Sequence, residues 1–104
     1  MSNRLTARAS DSGKLFAALE RALRNCGSCS ARTGMLNRLR TIAHHGTGPM
    51  NSQDGPVIAR LVEEQIIVPD KDSGRAHLYK LTSNALAELL GQVNVDERGE
   101  LYLA

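Results

Sequence analysis

Tryptophan is missing from this chain of 104 residues, and the other aromatics amount to one phenylalanine and two tyrosines. Surfaces that hold single strands or RNA by stacking need several rings, so Phe16, Tyr79 and Tyr102 cannot build one. Cysteine is equally scarce: Cys26 and Cys29, three residues apart, cannot staple distant elements, which points to a reducing, cytoplasmic setting. Long apolar runs are absent too. No stretch approaches the roughly 18 residues of a membrane span, and the first ten residues hold Arg4 and Arg8 without the apolar core of a signal peptide. Nor is there a phosphate-cradling glycine loop, a nucleophile elbow or a pair of carboxylates in an apolar setting. Asp70 and Asp72 read as turn formers, and Glu63 and Glu64, adjacent on a helix, cannot converge on one substrate. Neither an enzyme nor a cofactor is expected.

What the chain does contain is leucine, 14 copies against nine valines and isoleucines, a balance that favours helices in a single small domain. The net charge of +2 hides a polarised distribution. Residues 1–40 carry eight Lys/Arg against two Asp/Glu, whereas the remainder carries five against nine. A molecule polarised in this way can offer a basic face to phosphate even when nearly neutral overall.

The stretch from Gly55 to Leu90 is the most patterned. Val57, Ile58, Leu61 and Val62 recur at helical spacing, with Arg60, Glu63 and Glu64 facing away. Ile66, Ile67 and Val68 form a short β-branched run that Pro69 stops. Asp70 to Gly74 is turn chemistry, with Gly74 free to take a positive φ. His77, Tyr79 and Leu81 then alternate with Ala76, Leu78 and Lys80, the period of a strand. Thr82 or Ser83 caps a further helix carrying Leu86, Leu89 and Leu90, which Gly91 ends. Beyond it, Val93-Asn94-Val95 and Leu101-Tyr102-Leu103 flank a turn containing Gly99 and predict a second hairpin. Such a hairpin is unstable alone. It packs either on the body of the chain or on a second subunit, and in the latter case Val95, Leu101 and Leu103 are the buried dimer positions.

The first half reads as two helices. Residues 1–13 are expected to form a flexible arm, and Asp11-Ser12-Gly13 supplies cap candidates for a helix from Lys14 to Asn25. Its buried stripe is Leu15, Phe16, Leu19 and Leu23, with Ala18 and Ala22 allowing close approach, and Gly27 ends it. A second helix from Ser30 to His45 buries Met35, Leu36, Leu39, Ile42 and Ala43, with Arg38 and Arg40 flanking that stripe. Thr47 to Asp54 reads as a polar loop, and Pro56 suits the first turn of the third helix. Residues 14–92 thus form the main domain and 93–104 a hairpin extension. The Cys26-Gly27-Ser28-Cys29 motif lacks the βαβ surroundings of a redox pair. As a zinc site it would need ligands from His44, His45 or His77, and adjacent histidines point about 100° apart on a helix. Two quiet, reduced thiols and no metal is the preferred reading.

The order LVEEQIIVPDKDSGRAHLYKLTSNALAEL, about a third of the chain, resembles the second half of a winged helix-turn-helix domain. It is most similar to bacterial transcriptional regulators of the multiple-antibiotic-resistance and phenolic-acid-decarboxylase types. The resemblance implies an α+β fold with a three-helix core, a β-hairpin wing, a further C-terminal helix and the terminal hairpin. It also implies a cytoplasmic, homodimeric regulator that binds double-stranded DNA. In that reading the helix ending near Leu61 is the recognition helix, Asp70 to Arg75 is the wing, and Tyr79-Lys80-Leu81-Thr82 leads out of it. Arg75 and then Lys71 are the foremost DNA contacts. Arg38, Arg40 and Arg32 neutralise phosphates, and Asn51, Ser52, Gln53 and Arg60 serve the recognition helix. Two departures stand against it. The loop before the third helix exceeds the usual three or four residues of a helix-turn-helix, and Asp54, Glu63 and Glu64 put negative charge on the recognition helix. The acidic outer face favours a rival, a winged-helix adaptor or inhibitor of the phage or plasmid accessory type that binds a protein and not DNA.

Overall fold

The computed structural model describes residues 2–74 and 77–103, with side chains described except at 2–12, 52 and 73. The first helix, α1, spans Ser2–Leu23. It buries Ala18, Leu19, Ala22 and Leu23, with Leu15 and Phe16 half-buried at the margin. The helix therefore runs straight through Asp11-Ser12-Gly13, where caps were expected, and stops before Gly27. No proline interrupts that stretch, and a lone glycine costs a helix only about 1 kcal/mol relative to alanine.

Ser28 caps the second helix, α2 (Cys29–His45), by accepting a hydrogen bond from the Ala31 N–H at 3.1 Å. Its far end closes on Gly46, whose φ of +83° lets its N–H reach the Ile42 carbonyl at 2.8 Å. Met35, Leu36, Leu39 and Ile42 are buried, as the spacing predicts. The segment read as a polar loop holds two short elements instead. Strand β1 is Gly48–Pro49, and a 3-10 turn over Ser52–Asp54 is capped by the Asn51 side chain, which accepts from the Gln53 N–H at 3.0 Å. Neither residue of β1 has strand propensity. Gly48 is there because a Cβ would lie 2.9 Å from Cγ1 of Ile42, so only glycine lets β1 approach α2. Pro49 is tolerated on an edge strand.

Helix α3 (Gly55–Glu63) follows, with proline in its first turn. It ends in a full Schellman motif: Ile66 N–H donates to Leu61 O at 2.9 Å and Gln65 N–H to Val62 O at 3.0 Å. The left-handed residue of that motif is Gln65, at φ +61°, where glycine is usual. Strand β2 (Ile67–Pro69), a 3-10 turn over Lys71–Ser73 and strand β3 (Leu78–Leu81) complete the expected hairpin, and Gly74 takes φ +69°. The sheet is antiparallel in the order β1-β3-β2, with Val68 opposite Lys80 and Gly48 opposite Tyr79. Ser83 caps helix α4 (Asn84–Leu90) by accepting from the Leu86 N–H at 3.3 Å. Strands β4 (Val93–Val95) and β5 (Leu101–Leu103) form the second hairpin.

The result is a compact α+β domain with four helices and two small antiparallel sheets among the described residues. Helix α1 lies on α3 and α4, while α2 lies on α4, β1, β3 and β4. Helices α2 and α3 make no comparable contact with each other, although their apolar faces share one core. The terminal hairpin packs on its own chain: Val93 is fully buried, Val95 and Leu101 rest against the core, and Leu103 stays half exposed. No helix among the described residues is long and apolar enough to cross a membrane.

Candidate nucleic-acid interface

The hairpin β2–β3 and the N-terminal end of α3 meet at one end of the three-stranded sheet. Beside the start of β3, the Met50 N–H donates to His77 O at 3.3 Å, and Met50 leads directly into Asn51, Gln53 and α3. Thr47 Oγ1 donates to Asp70 Oδ2 at 2.7 Å, tying the hairpin's loop to the chain leaving α2. His77, at φ +70°, is a left-handed non-glycine residue at this junction. Two otherwise separate segments are thereby held side by side by backbone and hydroxyl contacts.

The candidate DNA contacts divide by what they already touch. Arg38 and Gln53 are exposed and border one cleft of about 360 Å³ between the first half of α2 and the start of α3. Lys71 is exposed in the hairpin turn. Asn51 is exposed, but its side-chain oxygen is occupied as the cap of the 3-10 turn. The side chain of Ser52 and all of Arg75 lie outside the described residues. Arg40 is drawn into the fold: its Nε donates to Leu90 O at 2.9 Å, Nη1 to Asn37 Oδ1 at 3.1 Å, and Nη2 to Val93 O. Those bonds satisfy carbonyls at the end of α4 and the start of β4, and leave the guanidinium little to offer a phosphate. Arg32 is committed as well, donating from Nη1 to Gly99 O.

On α3 the expected acidic outer face takes another form. Glu64 does not face away but reaches α1, where its two oxygens accept from Arg21 Nε at 2.7 Å and Nη2 at 3.1 Å. Arg60 Nη2 lies 3.5 Å from the same carboxylate, and Nη1 lies 3.3 Å from Glu63. The hydrogen bond from Arg21, with the positive charges of Arg21 and Arg60 behind it, holds the Glu64 carboxyl below the usual carboxylate range, against a smaller opposing effect of burial. The same partner raises the Arg21 guanidinium above its ordinary value. Most of the negative charge on α3 is thus neutralised locally.

Beside the exposed Arg60 and Glu63, α3 also leaves an apolar strip open. Ile58, Ala59 and Val62 border a groove of about 490 Å³ whose opposite wall is Met50, His77 and Tyr79. Val62, expected on the buried side, is 37% exposed, because only Val57 and Leu61 of this helix are buried. A recognition surface made for base edges would carry polar side chains here.

The two cysteines part company. Cys26 is buried, and burial, aided by the nearby charge of Asp54 and opposed by that of Arg32, pushes its thiol up. Cys29 opens α2, and its thiol donates to Glu97 O at 3.3 Å. Both are free thiols, and among the described residues no three His, Cys, Asp or Glu side chains gather as metal ligands. Arg21 and Glu64 were not singled out as a pair in the sequence. They are 43 positions apart, and no local pattern links them. No family model, curated protein or solved structure matches the chain.

Proposed function

We propose that the chain is a small winged-helix module that binds duplex DNA as a transcriptional regulator. The observation that carries this reading is the junction at Met50 and His77, which keeps the loop of the β2–β3 hairpin beside the start of α3. In a winged helix those are the two elements that meet the duplex. Arg38 and Gln53 on one side and Lys71 on the other supply exposed donors. Arg75 adds a further cation by its position in the sequence. Such contacts grip the phosphate backbone and give affinity more than sequence choice.

Retention on duplex DNA across a salt series tests the reading. The affinity should fall steeply with salt, and the alanine variants of Arg38, Lys71 and Arg75 should each lower the slope of log affinity against log salt by about one. No duplex affinity at low salt would overturn it. A second reading, the winged-helix protein adaptor or inhibitor, is favoured by the apolar groove between α3 and β3. It requires that Val62→Asp abolish function in the cell while the chain stays folded and shows no duplex affinity.

A further inference from the structure

The two outer edges of the β4–β5 hairpin are finished differently. Asp96 N–H donates to Glu100 O at 2.9 Å, so this is a hydrogen-bonded pair of the antiparallel ladder. Alternation makes Asn94 and Tyr102 the next such pair, and it turns the N–H and C=O of Val93, Val95, Leu101 and Leu103 outward. On the β4 side, the outward carbonyl of Val93 is taken by Arg40. On the β5 side, the outward groups of Leu101 and Leu103 meet no partner among the described residues. Of the three large hydrophobic side chains exposed among the described residues, two belong to β5: Tyr102 at 47% and Leu103 at 50%. None of the usual guards of an open edge, a proline, a lysine or a bulge, is present in Leu101-Tyr102-Leu103.

We infer that β5 is a self-association edge and that its occupant is β5 of a second copy of this chain, paired antiparallel about a two-fold axis through Tyr102. The register is self-complementary. Leu101 lies opposite Leu103 of the other copy, and these are the residues whose N–H and C=O point outward, so each such pair closes two hydrogen bonds. Between them Tyr102 meets its own counterpart as a non-hydrogen-bonded pair, the geometry in which opposite side chains come closest. On the core-facing side of the sheet, the half-exposed Leu103 of one copy comes to rest beside Leu101 of the other. An unrelated extended peptide could use the same hydrogen bonds, but it would not supply matching leucines at both ends. One strand edge buries far less than the ~1,600 Å² of a standard interface, so the dimer is weak and visible only at high concentration. This inference is independent of the DNA-binding proposal.

Sedimentation equilibrium of the full chain over a wide concentration range tests it, beside Leu103→Pro and Leu103→Lys. Proline removes an N–H that the β4–β5 ladder does not use, and lysine adds a charge at a position already half exposed. The wild-type mass should climb from monomer towards dimer, and each variant should weaken association at least about tenfold, the equivalent of one lost hydrogen bond. A parallel melting curve identifies any variant that fails to fold, in which case the other decides. Concentration-dependent slowing of exchange at the Leu101 and Leu103 amides should accompany dimerisation. A monomer at every concentration overturns the inference, as does a dimer that a folded Leu103 variant leaves unchanged.

Discussion

Two small elements are fastened to the helical core by arginine, and they are fastened in different ways. Helix α3 is tied to α1 through the Glu64 carboxylate, gripped by Arg21 and touched by Arg60. The terminal hairpin is tied to α2 through backbone carbonyls, those of Val93 and Gly99, which Arg40 and Arg32 hold. A carboxylate can be protonated and screened, whereas a carbonyl cannot be titrated. The helix that borders the candidate interface is therefore held by a fastening that answers to pH and salt. The hairpin, which carries the open β5 edge, is held by one that does not.

Substitutions should sharpen that contrast in a definite order. Gly99→Ala should have the largest effect. Its φ of +83° disfavours any side chain, and a Cβ would sit 3.0 Å from Cys29 Sγ and 3.2 Å from Arg32 Nη1. A loss of about 2–3 kcal/mol in urea unfolding is expected, because strain and the lost docking add. Arg40→Ala comes next, at about 2 kcal/mol, since it strands the carbonyls of Leu90 and Val93, and Arg40→Lys should restore little because a point charge cannot span both. Neither loss should depend on pH between 4 and 8, and a strong dependence would break the contrast (~4 being where carboxylates titrate).

On the α3 side, Gln65→Gly should stabilise the chain by about 1 kcal/mol, because it removes the cost of a left-handed residue from the Schellman motif. Measured melting should rise, and a fall would mean that the Gln65 side chain contributes something its backbone geometry does not reveal. Glu64→Gln should have the smallest effect, and its pH dependence is the informative part. The folded-state pKa of Glu64 is lowered, so its contribution is present above the ordinary carboxylate value near ~4.3 and is lost as pH falls through the depressed folded value. The variant should therefore differ from wild type at neutral pH, more in low salt than in high, and converge with it in acid.

Much of the fold was legible because local chemistry demanded it. Ser83 caps the helix it precedes, Gly74 takes a positive φ, Gly99 lies in the turn of the second hairpin, and Leu19, Leu23, Leu36 and Leu39 are buried. Three features were not legible, each for a physical reason. Strand β1 consists of a glycine and a proline, and it pairs only because Gly48 fits against Ile42. Arg32 and Arg40 look like solvated arginines of the second helix, and their carbonyl partners lie fifty or more residues downstream. Glu64 read as outward because helical spacing gives a direction but not the neighbour waiting there. For the candidate interface, the juxtaposition of hairpin and α3 was expected from the resemblance, while the apolar groove alongside α3 was not.

The difference between the two thiols makes the molecule its own stopwatch. Cys29 is partly accessible, whereas Cys26 is buried and its thiol is pushed up by that burial. An alkylating reagent should mark the first faster than the second, which is 8% exposed at the wall of the cleft between α2 and α3. The ratio of the two labelling rates reports how far the fold shields Cys26, with no added probe.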